Sequence, residues 1–178
     1  LDYRDVDDVI LAAERNGKQV RGFDFGNSPL QYLENDVKEK TLVMTTTNGT
    51  KAINIAKRDH QVVIGSFLNI DALTNWLTEQ NKDVVVLCAG WKDDFCFEDD
   101  LFAGALSEKL LKTKIFESDS DSANGSRMIY IRAKDDMFRF LGVSQHRKRL
   151  FHLNIEDDVK FCLKENITTA IPVLKGDE

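Results

Sequence analysis

Val84-Val85-Val86-Leu87-Cys88-Ala89-Gly90 is an unbroken apolar run closed by a glycine, and it leaves this chain few ways to fold. The run is too short for a membrane span. Its β-branched start reads as a strand buried in a sheet that is covered on both faces. Two similar runs precede it, Thr41-Leu42-Val43-Met44-Thr45 and Gln61-Val62-Val63-Ile64-Gly65. Each is followed by a helical pattern: residues 52–56, residues 71–77 (with Asn69 or Asp71 as cap) and an amphipathic stretch over 98–111. Repeated strand–helix units predict an α/β fold with a largely parallel sheet and flanking helices. The last third is expected to be mostly helical, over 123–133, 136–141, 144–150 and 156–165. It follows a Ser/Asp-rich loop (117–122) and ends in a short strand over 169–174.

A chain of 178 residues fits one domain with a real core, here a single α/β unit over residues 1–178. A formal net charge of −6 and a pI near 5.2 argue against nucleic acid as a partner. The one basic cluster, His146-Arg147-Lys148-Arg149, is short and reads as a solvated helix face. Cys88, Cys96 and Cys162 are scattered, odd in number and free of any C-x-x-C motif. They are expected to be buried structural thiols in a reducing, cytoplasmic protein. No signal peptide or membrane segment is visible, and homo-oligomerisation is left open. The opening Leu1-Asp2-Tyr3-Arg4-Asp5 reads as the middle of a longer protein.

Three segments could carry chemistry. Thr45-Thr46-Thr47-Asn48-Gly49-Thr50 lies where a strand feeds a helix, the place where open α/β sheets collect ligands. Asn48-Gly49 is expected to make a tight turn with positive φ. Converging N–H groups, threonine hydroxyls and a helix N-terminus would then suit an anion. A helix cap with no ligand remains the alternative. Cys96-Phe97-Glu98-Asp99-Asp100-Leu101 opens a helix with three acidic residues. The helix dipole favours such charges by roughly 0.3–1 kcal/mol each, but adjacent carboxylates repel, and a hard cation such as Mg²⁺ would relieve them. Ala13-Glu14-Arg15-Asn16-Gly17-Lys18 with Gly22-Phe23-Asp24-Phe25-Gly26-Asn27-Ser28-Pro29 suits a backbone that approaches a ligand, or a polar turn before a β element. His60, His146 and His152 have no motif context and read as surface or capping residues.

Together these segments resemble the 2-phosphosulfolactate phosphatase family, which dephosphorylates phosphosulfolactate on the route to coenzyme M. The resemblance rests on Glu14-Arg15-x-Gly17, Gly22-Phe23-Asp24-x-Gly26-Asn27-Ser28-Pro29 and Thr46-Thr47-Asn48-Gly49-Thr50-x-Ala52-Ile53. It continues through Gly65-Ser66-Phe67-x-Asn69, Cys88-Ala89-Gly90, Glu98-Asp99-x-x-x-Ala103-Gly104, Ser144-x-His146 and the Asp158 helix followed by Ile171-Pro172. Ala13 departs from the glycine usual before the Glu-Arg pair. The resemblance implies an upstream segment, with a strand and further active-site groups, of which nothing is present here. It implies Mg²⁺-dependent hydrolysis of a small anionic phosphomonoester to sulfolactate and phosphate. The alternatives are another phosphorylated hydroxy acid or a non-catalytic anion-binding paralogue. It also implies roles: Glu14, Asp24 and Asp99 catalytic; Glu14, Asp24, Glu98 and Asp99 on the metal; Arg15, Asn27, Ser28, Thr47, Asn48, Gly49 and Thr50 on substrate. Arg15, Lys18, Arg21 and Lys51 are the cations expected to meet the anion.

Overall fold

The computed structural model describes residue 3 and residues 6–35, 37–58, 61–150, 153 and 155–176. His60 and His152 lie outside the described residues. The sheet is built on β1 (Val9–Arg15), whose Ala12 and Ala13 are buried. Asn16 and Gly17 both take positive φ, 56° and 79°. They turn the chain back into the short β2 (Lys18–Gln19), as a two-residue hairpin loop does. After α1 (Pro29–Glu34), β3 (Thr41–Thr45) pairs in parallel with β1, from Val9 opposite Thr41 to Ala13 opposite Thr45. The order β2-β1-β3 thus holds one parallel and one antiparallel pair.

The helices follow: α2 (Gly49–Ala56), α3 (Ile70–Gln80), α4 (Phe97–Lys112), α5 (Asp121–Ala133), α6 (Met137–Phe140), α7 (Gln145–Leu150) and α8 (Glu156–Cys162). Leu73 and Leu77 of α3, Leu101, Ala105, Leu106 and Leu110 of α4 and Ala133 of α5 form the core with Phe67, Ile70 and Leu141. Gly104 lets α4 and α5 approach closely, because a Cβ there would lie 2.1 Å from the Ser126 carbonyl oxygen. No helix among the described residues is long and apolar enough to cross a membrane.

The expected largely parallel sheet is not found. Residues 61–65 and 169–174 meet only at an isolated antiparallel bridge, Val63 with Val173. Residues 84–90 join no ladder among the described residues. There Val84 and Val86 pack on the core while Val85 is 82% exposed and Leu87 49%. This is the alternation of a segment covered on one face only, not of a strand covered on both. The thiols differ as well: Cys96 is buried, but Cys88 and Cys162 are exposed.

Candidate active site

The C-terminal ends of both parallel strands open onto one cavity of about 580 Å³, a size typical of small-molecule sites. One wall holds Glu14 from β1, Asn27 and Ser28 before α1, and Thr46 to Gly49 after β3. The first turn of α4 supplies Glu98 and Asp99, beside Trp91. A second part of the wall comes from the C-terminal elements, with Leu141, His146, Arg147, Glu156 and Asp158.

Each carboxylate has its own restraint. Glu14 is 8% exposed, and its Oε1 accepts the N–H of Gly17 across the hairpin turn. Glu98 accepts the Ser144 hydroxyl on Oε1 at 2.7 Å and the Cys96 thiol on Oε2 at 3.0 Å. Asp99 accepts the Gly90 N–H on Oδ2 at 2.6 Å. Gly90 is fixed there by its φ of 65° and by the Asp94 carbonyl oxygen, which would lie 2.5 Å from any Cβ. Burial pushes the Asp99 carboxyl above its ordinary range, and Glu98 and Asp100 add to this; the Gly90 N–H and His146 oppose it. Asp100 turns away, taking the Ser126 hydroxyl on Oδ1 at 2.6 Å.

The cavity therefore gathers Glu14, Asn27, Ser28, Thr47, Asn48, Gly49, Glu98 and Asp99. Asp24, Arg15 and Thr50 are not among its lining. Asp24 accepts the Leu11 N–H on Oδ2 at 2.8 Å and so ties the 23–25 segment to β1. Arg15 donates to the carbonyl of Glu14. Thr50 and Thr46 cap each other, the Thr50 N–H donating to Thr46 Oγ1 and the Thr46 N–H to Thr50 Oγ1. Gly49 is not at positive φ, contrary to expectation, because it opens α2 instead of completing a turn. Asn48 Oδ1 takes the Lys92 N–H at 3.2 Å, which anchors this corner to the 91–94 turn.

The expected cations are elsewhere. Arg15, Lys18, Arg21 and Lys51 do not line the cavity, and Lys51 pairs with Asp93. Arg147 does line it, stacked 3.7 Å from the Phe138 ring centroid and donating to the Phe138 carbonyl. The cavity wall thus carries Glu14, Glu98, Asp99, Glu156 and Asp158 against Arg147, with His146 edge-on to Trp91 at 5.8 Å. His146 was read from the sequence as a surface or capping residue. The signal that could have found it is Ser144-x-His146, two positions apart at the mouth of α7.

Among the described residues no three His, Cys, Asp or Glu side chains cluster as a metal cage. An all-protein site of the calcium type therefore does not fit. Mg²⁺ asks for less, one or two carboxylates plus water and substrate phosphate. Adjacent Glu98 and Asp99 at one cavity wall fit that requirement.

A mixed α/β fold in which parallel strand ends and helix starts bring acidic side chains to one ligand-sized cleft has the form of an α/β enzyme. The model of the 2-phosphosulpholactate phosphatase family matches residues 2–177. A probable 2-phosphosulfolactate phosphatase of Caldanaerobacter subterraneus subsp. tengcongensis is 39% identical over 172 residues, covering 97% of this chain and 71% of the relative. Proteins of the same description from Clostridium botulinum (strain Alaska E43) and Thermotoga maritima are each 34% identical, over 98% and 93% of this chain and 73% and 70% of their own. The chain belongs to the 2-phosphosulfolactate phosphatase family, whose members are phosphoric monoester hydrolases.

Proposed function

We propose that this protein hydrolyses 2-phosphosulfolactate to sulfolactate and phosphate with Mg²⁺ held by Glu98 and Asp99. One observation carries the metal reading: the cleft is acidic, yet the substrate named by the relatives is an anion. Among the described residues five carboxylates line the cleft with one guanidinium, a balance that would repel that substrate unless a cation stood between them. A bound Mg²⁺ neutralises phosphoryl oxygens and helps to orient the attacking group. The chain's own groups then divide the work. Thr47, Asn48 and Gly49, at the positive end of α2, receive an oxyanion of the substrate. Asn27 and Ser28 orient its other end, and Arg147 supplies the fixed positive charge. Glu14 and Asp99, both in hydrogen-bond contact with backbone N–H groups, are the carboxylates placed to handle protons.

Acidic side chains lining the cavity argue for catalysis over simple anion binding. A phosphate-release assay across phosphorylated 2-hydroxy acids, with Mg²⁺ and with EDTA, tests this. Release from 2-phosphosulfolactate that stops in EDTA is expected. A preference for another phosphorylated acid corrects the substrate, and turnover unaffected by EDTA removes the metal. Binding without release with every substrate leaves an anion-binding paralogue.

A further inference from the structure

Among the described residues, Glu98 is the cleft carboxylate whose two oxygens each receive a separate side-chain donor. Ser144 is 1% exposed and lies just before α7; Cys96 is 9% exposed and lies just before α4. The direction of the Ser144 hydrogen is fixed. Its Oγ accepts the Arg147 N–H at 3.2 Å, so its single hydrogen is left to donate to Glu98 Oε1. Cys96 is equally restricted. Its Sγ lies 3.0 Å from Glu98 Oε2, and a carboxylate oxygen accepts, so the thiol hydrogen is committed to that contact. Among the described residues each Glu98 oxygen thus takes one side-chain donor, which leaves one lone-pair site on each.

We infer that Ser144 and Cys96 are positioning residues that clamp the Glu98 carboxylate from two sides and present its free lone pairs to a divalent cation. The inference rests on the metal reading above and deepens it. Hydrogen bonds to a ligating carboxylate orient it and tune its affinity, and their loss typically weakens metal binding by roughly 10–100-fold. Neither residue lines the cavity. Ser144 reaches the site across 46 residues of sequence, so the clamp also fastens the start of α7 to the start of α4.

The test is Mn²⁺ binding to the substrate-free protein, followed by electron paramagnetic resonance, with folding checked by circular dichroism. Ser144→Ala and Cys96→Ala should each weaken Mn²⁺ by roughly 10-fold or more. Cys96→Ser, which restores a donor of similar size, should recover most of that loss. Folded Ser144→Ala and Cys96→Ala variants that bind Mn²⁺ within twofold of wild type would overturn the clamp while leaving the metal reading intact. Equal losses in Cys96→Ser and Cys96→Ala would overturn it too, since packing and not donation would then be the cause. If Ser144→Ala fails to fold, the Cys96 pair decides alone. Wild-type protein that takes up no Mn²⁺ would overturn the metal reading, and the clamp with it.

Discussion

Asp99 shows what the site costs the fold. Burial is the main reason its carboxyl is held above the ordinary aspartate value of 3.8, and neighbouring Glu98 and Asp100 act in the same direction. A raised folded value means that the stabilising contribution is fully present below 3.8 and is lost as pH rises through the folded value. At neutral pH the ionised Asp99 therefore opposes folding when no cation is present. Asp99→Asn should raise the melting temperature in EDTA at pH 7, with the gain shrinking toward pH 3. The asparagine Oδ1 can still accept the Gly90 N–H. The same variant should lose phosphatase activity by about 100-fold or more, the usual contribution of a proton-transferring group. A lowered melting temperature in EDTA at pH 7 would show that the charge is stabilising and that this electrostatic account is wrong.

At the scale of elements, the α4–α5 contact depends on one small residue. An alanine methyl at Gly104 would meet the Ser126 carbonyl oxygen at 2.1 Å, its carbon at 2.6 Å and Tyr130 Cβ at 2.9 Å. Overpacking of this kind typically costs about 1–3 kcal/mol. For a chain of this size Gly104→Ala should thus lower the melting temperature by roughly 3–10 °C. An unchanged melting temperature would mean the two helices slide apart freely. The helices were the legible part of the sequence, because 3.6-residue periodicity is local: α3, α4 and α5 fall where the apolar spacing puts them. Strands depend on partners far along the chain: β3 falls on the run read as a strand, Thr41–Thr45, but elsewhere the reading failed in both directions. The polar Glu14-Arg15-Asn16-Gly17-Lys18 stretch hid the end of β1 and its hairpin. The most apolar run, 84–90, joins no ladder among the described residues and leaves Val85 exposed. The site was partly legible for the same reason. Glu14, Asn48, Glu98 and Asp99 sit at element ends, which sequence can locate. Arg147 and His146 line the cleft from α7, a placement set by contacts distant in sequence, of which Ser144-x-His146 is the one local trace.

For the whole molecule, the decisive relation is between the two walls of the cleft, which come from opposite ends of the chain. The Ser28 hydroxyl donates to Asp158 Oδ1 at 2.6 Å, a bond between residues 130 positions apart. It joins the residue before α1 to the first turn of α8, beside a cavity that both residues line. A hydrogen bond to a charged acceptor is worth about 1.5–3 kcal/mol, enough to influence how often one wall opens from the other. Ser28→Ala separates this clasp from local effects. Ser28 occupies the cap position of α1 but makes no side-chain cap bond, so α1 loses no capping when the hydroxyl is removed. It lies outside α8, so any loosening of α8 must arrive through the lost bond. Hydrogen exchange followed by mass spectrometry should show amides of Glu156–Cys162 exchanging roughly tenfold faster in Ser28→Ala, while the α4–α5 pair keeps its wild-type protection. Exchange in α8 that matches wild type would mean packing alone holds the walls together. The substrate contact proposed for Ser28 would then be its whole role, and its removal would appear only as a higher KM.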